Sequence, residues 1–130
     1  TSGTVTSTTR LVVKDLRKKG EKVGVLKMRL LRPFPVVELR EVLKGAKKVA
    51  VIDRNFSFGA SGIFAQEVRA ALCNLPKHPA VFGYVAGIGG RDVTPALIEE
   101  VYWKTRKNKL PEKESVWMGL KEVSDAARRQ

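Results

Sequence analysis

A polar segment with two glycines, residues 53–62, carries the first group of side chains that could do chemistry. It begins with an acid, a base and an amide, Asp53, Arg54 and Asn55, and it directly follows the apolar run Val49–Ile52. In open α/β sheets, ligands and partners are met where strands of this kind end. The glycines would let the backbone come close to such a group. A tight turn that binds nothing is the alternative, and two glycines at this spacing do not decide between them.

A second glycine-bearing segment, residues 86–95, follows the apolar run Val81–Val85. Its Arg91 and Asp92 could face a partner, or they could pair with each other and make the loop rigid. Thr94, which is followed by a proline, is a good start for a helix. The second segment therefore has the same arrangement of strand, glycine loop and helix as the first.

The sequence contains no residue set typical of a metal centre, a nucleophilic catalytic site or a dinucleotide-binding site. The chain has one histidine, His78, and one cysteine, Cys73, so the ligand sets of a zinc site or an iron–sulfur cluster are lacking. There is also no Ser/His/Asp set and no strand followed by the glycine pattern of a dinucleotide site. Cys73 is predicted to fill a buried position on a helix, and His78 is predicted to lie exposed in a loop.

Hydrophobic periodicity predicts the elements that must position these segments. Helices and strands alternate along the chain: helix 5–18, strand 23–30, helix 36–43, strand 49–52, a helix from 63 to near 74, strand 81–85 and a helix from 95 to near 108. Ser57 or Ser61 could cap the helix that begins at Ile63. This alternation is typical of a three-layer α/β/α domain, with a mostly parallel sheet and helices on both faces.

Length and composition predict one domain. We place it at residues 1–108 and assign residues 109–130 to a charged carboxyl-terminal tail. A short amphipathic piece of this tail would contain Val116, Trp117, Leu120 and Val123. No apolar stretch approaches the ~20 residues that a membrane helix needs, so we expect no membrane contact. The single cysteine favours a cytoplasmic location.

The net charge of +12 is spread unevenly along the chain. Residues 10–48 hold 13 lysines and arginines against four acidic residues, whereas residues 49–100 are close to neutral. Such a distribution favours acidic partners, which could be a nucleic acid, an acidic protein or a phosphorylated ligand. A solvated, lysine-rich surface like that of heat-adapted proteins is the alternative.

Three separate motifs give the chain a family resemblance. They are Gly24–Pro35, Val49–Gly59 and Gly87–Thr94, and they follow one another in this order. Together they resemble the carboxyl-terminal domain of the α subunit of 2-oxoacid:ferredoxin oxidoreductases, the pyruvate synthase type, over roughly residues 1–105. The wider similarity is to the carboxyl-terminal domains of transketolase and of the 2-oxoacid dehydrogenase β subunit.

The resemblance implies a place in an enzyme complex that oxidatively decarboxylates a 2-oxoacid to an acyl-coenzyme A and reduces ferredoxin. Thiamine diphosphate, coenzyme A and iron–sulfur clusters serve the full complex, and this chain is expected to hold none of them. The implied partners are the other subunits or domains of the oxidoreductase and, for the complex, an acidic ferredoxin.

Within such a complex the implied role of this domain is non-catalytic, in subunit assembly and in shaping the active-site entrance. The resemblance implies no catalytic residue in this chain. It implies loop or interface roles for Arg32, Asp53, Arg54, Asn55, Ser57, Gly59, Gly62, Gly89, Gly90, Arg91 and Asp92.

The resemblance also implies a gap in the sheet. Family members carry a further strand just before the position of Thr1, so this chain is expected to lack the first core strand. In a transketolase-type sheet that strand lies between Val23–Leu30 and Val49–Ile52. These two segments should therefore not pair directly.

Two rival functions fit less of the sequence. A transketolase or 2-oxoacid dehydrogenase domain would have the same fold, but the sequence Gly-Gly-Arg-Asp at residues 89–92 argues against it. A stand-alone basic domain that binds nucleic acid would carry aromatic side chains among its lysines and arginines on one surface. Because Phe34, Phe64, Phe82 and Tyr84 lie at core-like positions, we do not expect nucleic acid as a partner.

Overall fold

The computed structural model describes residues 1–57, 59–112 and 115–120. Its helices and strands are α1 (Val5–Lys18), α2 (Val36–Val42), β1 (Lys48–Asp53), α3 (Ile63–Leu72), β2 (Ala80–Val85), α4 (Pro95–Lys107) and β3 (Val116–Trp117). A short 3₁₀ turn, Ile88–Gly90, precedes α4. All four predicted helices and the two predicted strands at 49–52 and 81–85 are confirmed, since the helices carry apolar residues at a helical period and the strands are continuous apolar runs.

The three strands form one parallel sheet in the order β1-β2-β3. Val51 of β1 is paired with Gly83 of β2, and Tyr84 of β2 is paired with Val116 of β3. Helix α3 provides the crossover between β1 and β2, which parallel neighbours require. The predicted parallel sheet is therefore confirmed.

Helices cover both faces of this sheet. On one face α1 and α4 pack on Ile52, Phe82 and Tyr84, and on the other face α2 and α3 pack on Val51 and Val81. Successive side chains of a strand point to opposite faces, so Val51 and Ile52 are buried in different clusters. The predicted three-layer α/β/α arrangement is confirmed. The predicted core positions of Phe82 and Tyr84 are confirmed as well.

Residues 23–30 do not form a strand of the sheet, so the prediction of a strand there is wrong. The segment shares no backbone hydrogen bond with β1, and both are fully described. Its partner is Thr1: Met28 N–H donates to Thr1 O at 2.8 Å, and the Thr1 ammonium donates to Leu26 O at 3.1 Å. A strand requires a ladder of such bonds, and only this short pair is present. The predicted lack of direct pairing with Val49–Ile52 is confirmed.

The end of the described chain belongs to the domain rather than to a separate tail. Residues Val116–Trp117 pair with β2, Met118 is buried in the core beneath α1 and α4, and its N–H donates to Val85 O at 2.9 Å. The predicted domain boundary at residue 108 is therefore wrong for residues 115–118. Val123, the last member of the predicted amphipathic piece, lies outside the described residues.

The chain's single cysteine and single histidine both lie at the surface. Cys73 is exposed, and its thiol donates to Ala70 O at 3.2 Å. The prediction of a buried cysteine is wrong because Cys73 continues the solvent-facing side of α3, on which Gln66 and Ala70 are also exposed. His78 is exposed, as predicted. Among the described helices, none combines the length and the apolar character needed to cross a membrane.

Candidate functional site

Asp53, the last residue of β1, caps the amino terminus of α3. Its Oδ1 atom accepts the N–H of Phe64 and its Oδ2 atom accepts the N–H of Ala65, both at 3.0 Å. The Asn55 Oδ1 atom accepts the N–H of Ile63 at 2.8 Å. These are the amides that a helix terminus would otherwise offer to a phosphate. The chain's own side chains therefore occupy this terminus, and the prediction that Ser57 or Ser61 caps α3 is wrong.

The Asp53 carboxylate is buried and fully engaged in the helix cap. Burial raises the pKa of Asp53 above its ordinary value, although the hydrogen bonds from Phe64, Ala65 and Asn55 oppose this rise. The residue is only 1% exposed, and both carboxylate oxygens already accept hydrogen bonds. A substrate could not reach it without displacing α3.

The rest of the first segment forms a tight turn. Ser57 N–H donates to Ser61 O at 2.8 Å, and Ala60 N–H donates to Ser57 O at 3.0 Å. Gly59, at the tip of the turn, has a φ of 70°, which is costly for any residue with a side chain. The Ser61 hydroxyl donates to Gly62 O at 3.3 Å. Of the two interpretations open for this segment, the geometry favours the tight turn.

Arg54 connects the first segment with the second. Its Nη1 atom donates to Thr4 Oγ1 and its Nη2 atom donates to Gly87 O, both at 3.3 Å. Gly87 has a φ of 73°, and a Cβ atom there would lie 3.0 Å from Arg54 Nε and 2.8 Å from Val93 Cγ2. Sequence reasoning missed Gly87 as a site residue. The available signal was its place in the motif Gly87–Thr94.

Arg91 ties the second segment to the residues that follow β3. Its Nη1 atom donates to Gly119 O at 3.1 Å. No ion pair joins Arg91 and Asp92, both of which are described, so the interpretation of these residues as an internal pair is wrong. Gly89 and Gly90, with φ values of 71° and 75°, are exposed together with Asp92.

An aromatic pair lies at the same edge of the sheet. The ring centroids of Phe56 and Trp117 are 4.8 Å apart, and Trp117 remains 40% exposed. Sequence reasoning noted Trp117 but missed Phe56, because the contact depends on β3 joining the sheet. We name as the carboxyl-edge face the residues Arg54, Phe56, Gly89, Gly90, Arg91, Asp92 and Trp117.

Arg32 lies elsewhere. Its Nη2 atom pairs with Glu67 Oε1 on α3 at 2.6 Å, and its Nη1 atom donates to Leu31 O at 2.8 Å. Of the predicted residues, the carboxyl-edge face contains Arg54, Gly89, Gly90, Arg91 and Asp92. The others of the first loop lie in the cap of α3 or in the tight turn, namely Asp53, Asn55, Ser57, Gly59 and Gly62. Arg32 lies outside the face.

The chemistry of these residues is that of binding. No group of three or more His, Cys, Asp or Glu side chains suited to a metal ion occurs in residues 1–57, 59–112 and 115–120. An iron–sulfur cluster does not fit a chain with one cysteine. The diphosphate of thiamine diphosphate or coenzyme A does not fit the terminus of α3, whose amides bond Asp53 and Asn55. The carboxyl-edge face combines two anchored arginines with a half-exposed aromatic pair, a combination found in protein interfaces.

Comparison with known proteins identifies relatives of the chain. It is 44% identical over 123 residues to pyruvate synthase subunit PorA of Methanothermobacter thermautotrophicus, an overlap of 95% of this chain and 30% of the relative. It is 43% identical to ketoisovalerate oxidoreductase subunit VorA of Pyrococcus furiosus and 40% identical to PorA of Thermotoga maritima, in each case over 92% of this chain and 31% of the relative.

The chain thus spans less than a third of the length of these relatives. Residues 1–98, which contain α1 to β2, both glycine loops and the start of α4, match the family model of pyruvate:ferredoxin oxidoreductase core domain II. The fold, the order of the motifs and this match agree, and the chain belongs to the family of pyruvate:ferredoxin oxidoreductase core domain II.

Proposed function

We propose that this chain is the non-catalytic core domain II of a 2-oxoacid:ferredoxin oxidoreductase. The complex would decarboxylate a 2-oxoacid such as pyruvate or ketoisovalerate, form the acyl-coenzyme A and pass the electrons to ferredoxin. The observation that carries the proposal is the family match over residues 1–98, together with relatives at 40–44% identity that are named pyruvate synthase and ketoisovalerate oxidoreductase subunits.

The role of the domain would be to assemble the oxidoreductase and to shape the entrance of its active site. The carboxyl-edge face supports this role because its half-exposed Trp117, packed against Phe56 with the two rings tilted by 55°, resembles the aromatic anchors of protein interfaces. Arg54 and Arg91 are already held by hydrogen bonds to backbone and side-chain oxygens. Such prior ordering lowers the entropy lost on binding.

Thiamine diphosphate, coenzyme A and the iron–sulfur clusters would be held by other parts of the complex. The other partners would be the remaining subunits or domains and an acidic ferredoxin, and the location would be the cytoplasm. The 130-residue chain alone should bind none of these cofactors and should turn over no 2-oxoacid. Calorimetric binding of thiamine diphosphate to this chain with micromolar affinity would contradict the proposal.

A strand of the rest of the oxidoreductase would fill the gap between residues 23–30 and β1. A cleft of about 740 Å³ lies at the start of this gap, and its lining includes Val23 and Gly24 of the segment, Lys48 and Ala50 of β1, and residues of α4. The two hydrogen bonds of Thr1, to Leu26 and from Met28, have the pattern of a parallel ladder. A strand that continued this ladder would pair with both edges of the cleft.

The experiment that tests the function begins with the protein that carries this domain, purified by an affinity tag from its own cells. The preparation should reduce ferredoxin in a reaction that requires both coenzyme A and a 2-oxoacid, with pyruvate and ketoisovalerate assayed separately. A preparation that assembles with other subunits but reduces ferredoxin with neither acid would overturn the proposed activity.

A further inference from the structure

A row of three cations runs along α1. Arg10, Lys14 and Lys18 are spaced four residues apart, so they lie one above the other on one face of the helix. All three side chains are exposed, and none of them takes part in an ion pair with another described residue. Like charges at this spacing repel one another and destabilise a helix. The row therefore opposes the stability of α1 as long as no anion lies against it.

A groove of about 520 Å³ lies beside this row, between α1 and the 23–30 segment. Its lining consists of Arg10, Val13, Lys14, Arg17, Lys18 and Val25, and contains no acidic residue. Val13 and Val25 make its apolar part. Arg17 is held in place by a hydrogen bond from its Nε atom to Val23 O at 2.6 Å. On the opposite side of the row, Leu11 is 62% exposed. The groove is thus a strip of cations with apolar side chains on both flanks.

We propose that this groove binds an acidic segment of a partner protein, in which Asp or Glu side chains flank an apolar one. The carboxylates would pair with Arg10, Lys14 and Lys18, and the apolar side chain would lie against Val13 or Leu11. Such pairing would remove the repulsion within α1 and would orient the partner. This surface is distinct from the carboxyl-edge face, and the inference does not depend on the proposed function.

The lining favours a protein over a nucleic acid. Proteins that bind single strands provide aromatic side chains on which the bases stack, together with cations for the phosphates. No aromatic residue lines this groove, and its apolar part is formed by two valines. A strip of cations with aliphatic side chains beside it matches a peptide that carries both acidic and apolar side chains.

The probe for the test is a fluorescein-labelled peptide of about 12 residues that repeats Glu-Glu-Leu, long enough to follow the row. Its binding to the 130-residue chain is measured by fluorescence anisotropy at low and at physiological salt, with a Gln-Gln-Leu peptide as the control ligand. We expect the acidic peptide to bind at least about tenfold more tightly than the control peptide, with an affinity that falls as salt rises. Equal binding of the two peptides, or none, would overturn the proposal.

A matched pair of variants locates the binding surface. The triple variant Arg10→Gln, Lys14→Gln, Lys18→Gln should lose about tenfold or more in affinity for the acidic peptide. The control variant Lys44→Gln, Lys47→Gln, Lys77→Gln loses the same charge at exposed positions outside the groove and should stay within about twofold. Equal losses in the two variants would show an effect of net charge alone and would overturn the site.

Further measurements test whether a loss of affinity reflects unfolding, whether Leu11 contributes to binding, and whether a nucleic acid binds more tightly than the peptide. The triple variant should unfold within a few degrees of the parent chain, because the relief of repulsion within α1 offsets the loss of Lys18 at the negative end of the helix. A loss of affinity therefore does not reflect unfolding. Leu11→Ser should weaken peptide binding while leaving its salt dependence unchanged. A single-stranded DNA of similar length that binds more tightly than the peptide, and that displaces it, would overturn the protein partner in favour of a nucleic acid.

Discussion

Gly62 and Asp53 are so close that a Cβ atom added to Gly62 would lie 2.1 Å from the Asp53 Oδ2 atom. The absence of a side chain at residue 62 is therefore what allows the Asp53 carboxylate to reach the amides of Phe64 and Ala65. The glycine loop that looks like a ligand site in the sequence is, at this position, the space for an internal helix cap.

Gly62→Ala should displace Asp53 and leave the two amides without their acceptor. We expect the free energy of unfolding, measured with urea, to fall by about 2–4 kcal/mol. Gly59→Ala is the matched control, since a Cβ there meets nothing within 4 Å and only the φ of 70° opposes it. That variant should lose about 1–2 kcal/mol. Equal losses would contradict the role given to Gly62.

The raised pKa of Asp53 predicts a dependence of stability on pH. The folded chain holds the Asp53 proton more tightly than the unfolded chain, whose pKa is near the ordinary 3.8. Protonation of Asp53 therefore favours folding. This contribution to stability is fully present below the pKa of the unfolded chain and is lost as the pH rises above the higher pKa of the folded chain. The Asp53→Asn variant cannot titrate at this position. The stability of the parent chain minus that of the variant should rise as the pH is lowered from about 7 to about 4. A constant or falling difference in urea titrations would show that the pKa is not raised.

Lys48 caps the carboxyl terminus of α4. Its Nζ atom donates to the carbonyl oxygens of Thr105, Arg106 and Asn108 at 3.0, 2.8 and 2.6 Å. A cation at this end of a helix also opposes the negative end of the helix dipole. Lys48→Met should lower the free energy of unfolding by about 1–2 kcal/mol.

The control for this change is the neighbouring residue. Lys47→Met removes the same charge from an exposed side chain and should change the stability by less than about 0.5 kcal/mol. If thermal or urea unfolding gave the same loss for both variants, the three carbonyl contacts of Lys48 would not contribute.

The sequence predicted the elements that have a long apolar period and missed those that depend on distant neighbours. Helix α1 and strand β1 followed from their own residues, and Thr94 caps α4 as predicted, accepting the N–H of Leu97 at 3.2 Å. Residues 23–30 look like a strand, but a ladder needs a neighbour that the local pattern cannot supply. The two-residue strand β3 is too short to leave a periodic signal.

The candidate site was predicted as a set of loops but not in its contacts. The positions of the glycine loops at strand ends follow from the order of elements. The cap provided by Asp53 was missed because a serine close to a helix start is the usual candidate, whereas the acid acts from eleven residues before Phe64. The ring contact between Phe56 and Trp117 joins residues far apart in the chain, so the local pattern could not show it.

The proposed strand in the cleft predicts a change in amide hydrogen exchange. In the isolated chain, β1 has a free edge towards residues 23–30, whereas β2 lies between β1 and β3. Peptides that cover β1 and residues 23–30 should therefore exchange quickly in the isolated chain and become protected in the assembled oxidoreductase. Peptides from β2 should be protected in both and serve as the control. Equal exchange of residues 23–30 in the two samples would contradict the strand.

The proposed role of this domain, to assemble the oxidoreductase without catalysing its reaction, can be tested with a pair of variants. The test variant is Asp92→Lys with Trp117→Ser on the carboxyl-edge face. The control is Glu100→Lys with Trp103→Ser on α4, because both pairs carry the same charge change and both tryptophans are 40% exposed.

The deciding measurement is the yield of assembled enzyme together with the turnover of 2-oxoacid-dependent ferredoxin reduction per assembled enzyme. We expect the test variant to lower the yield at least about tenfold, the range of an interface hot spot, while turnover per assembled enzyme stays within about twofold. The control variant should match the parent in both. A test variant that assembles fully but has lost turnover would contradict the non-catalytic role and give this face a part in the reaction.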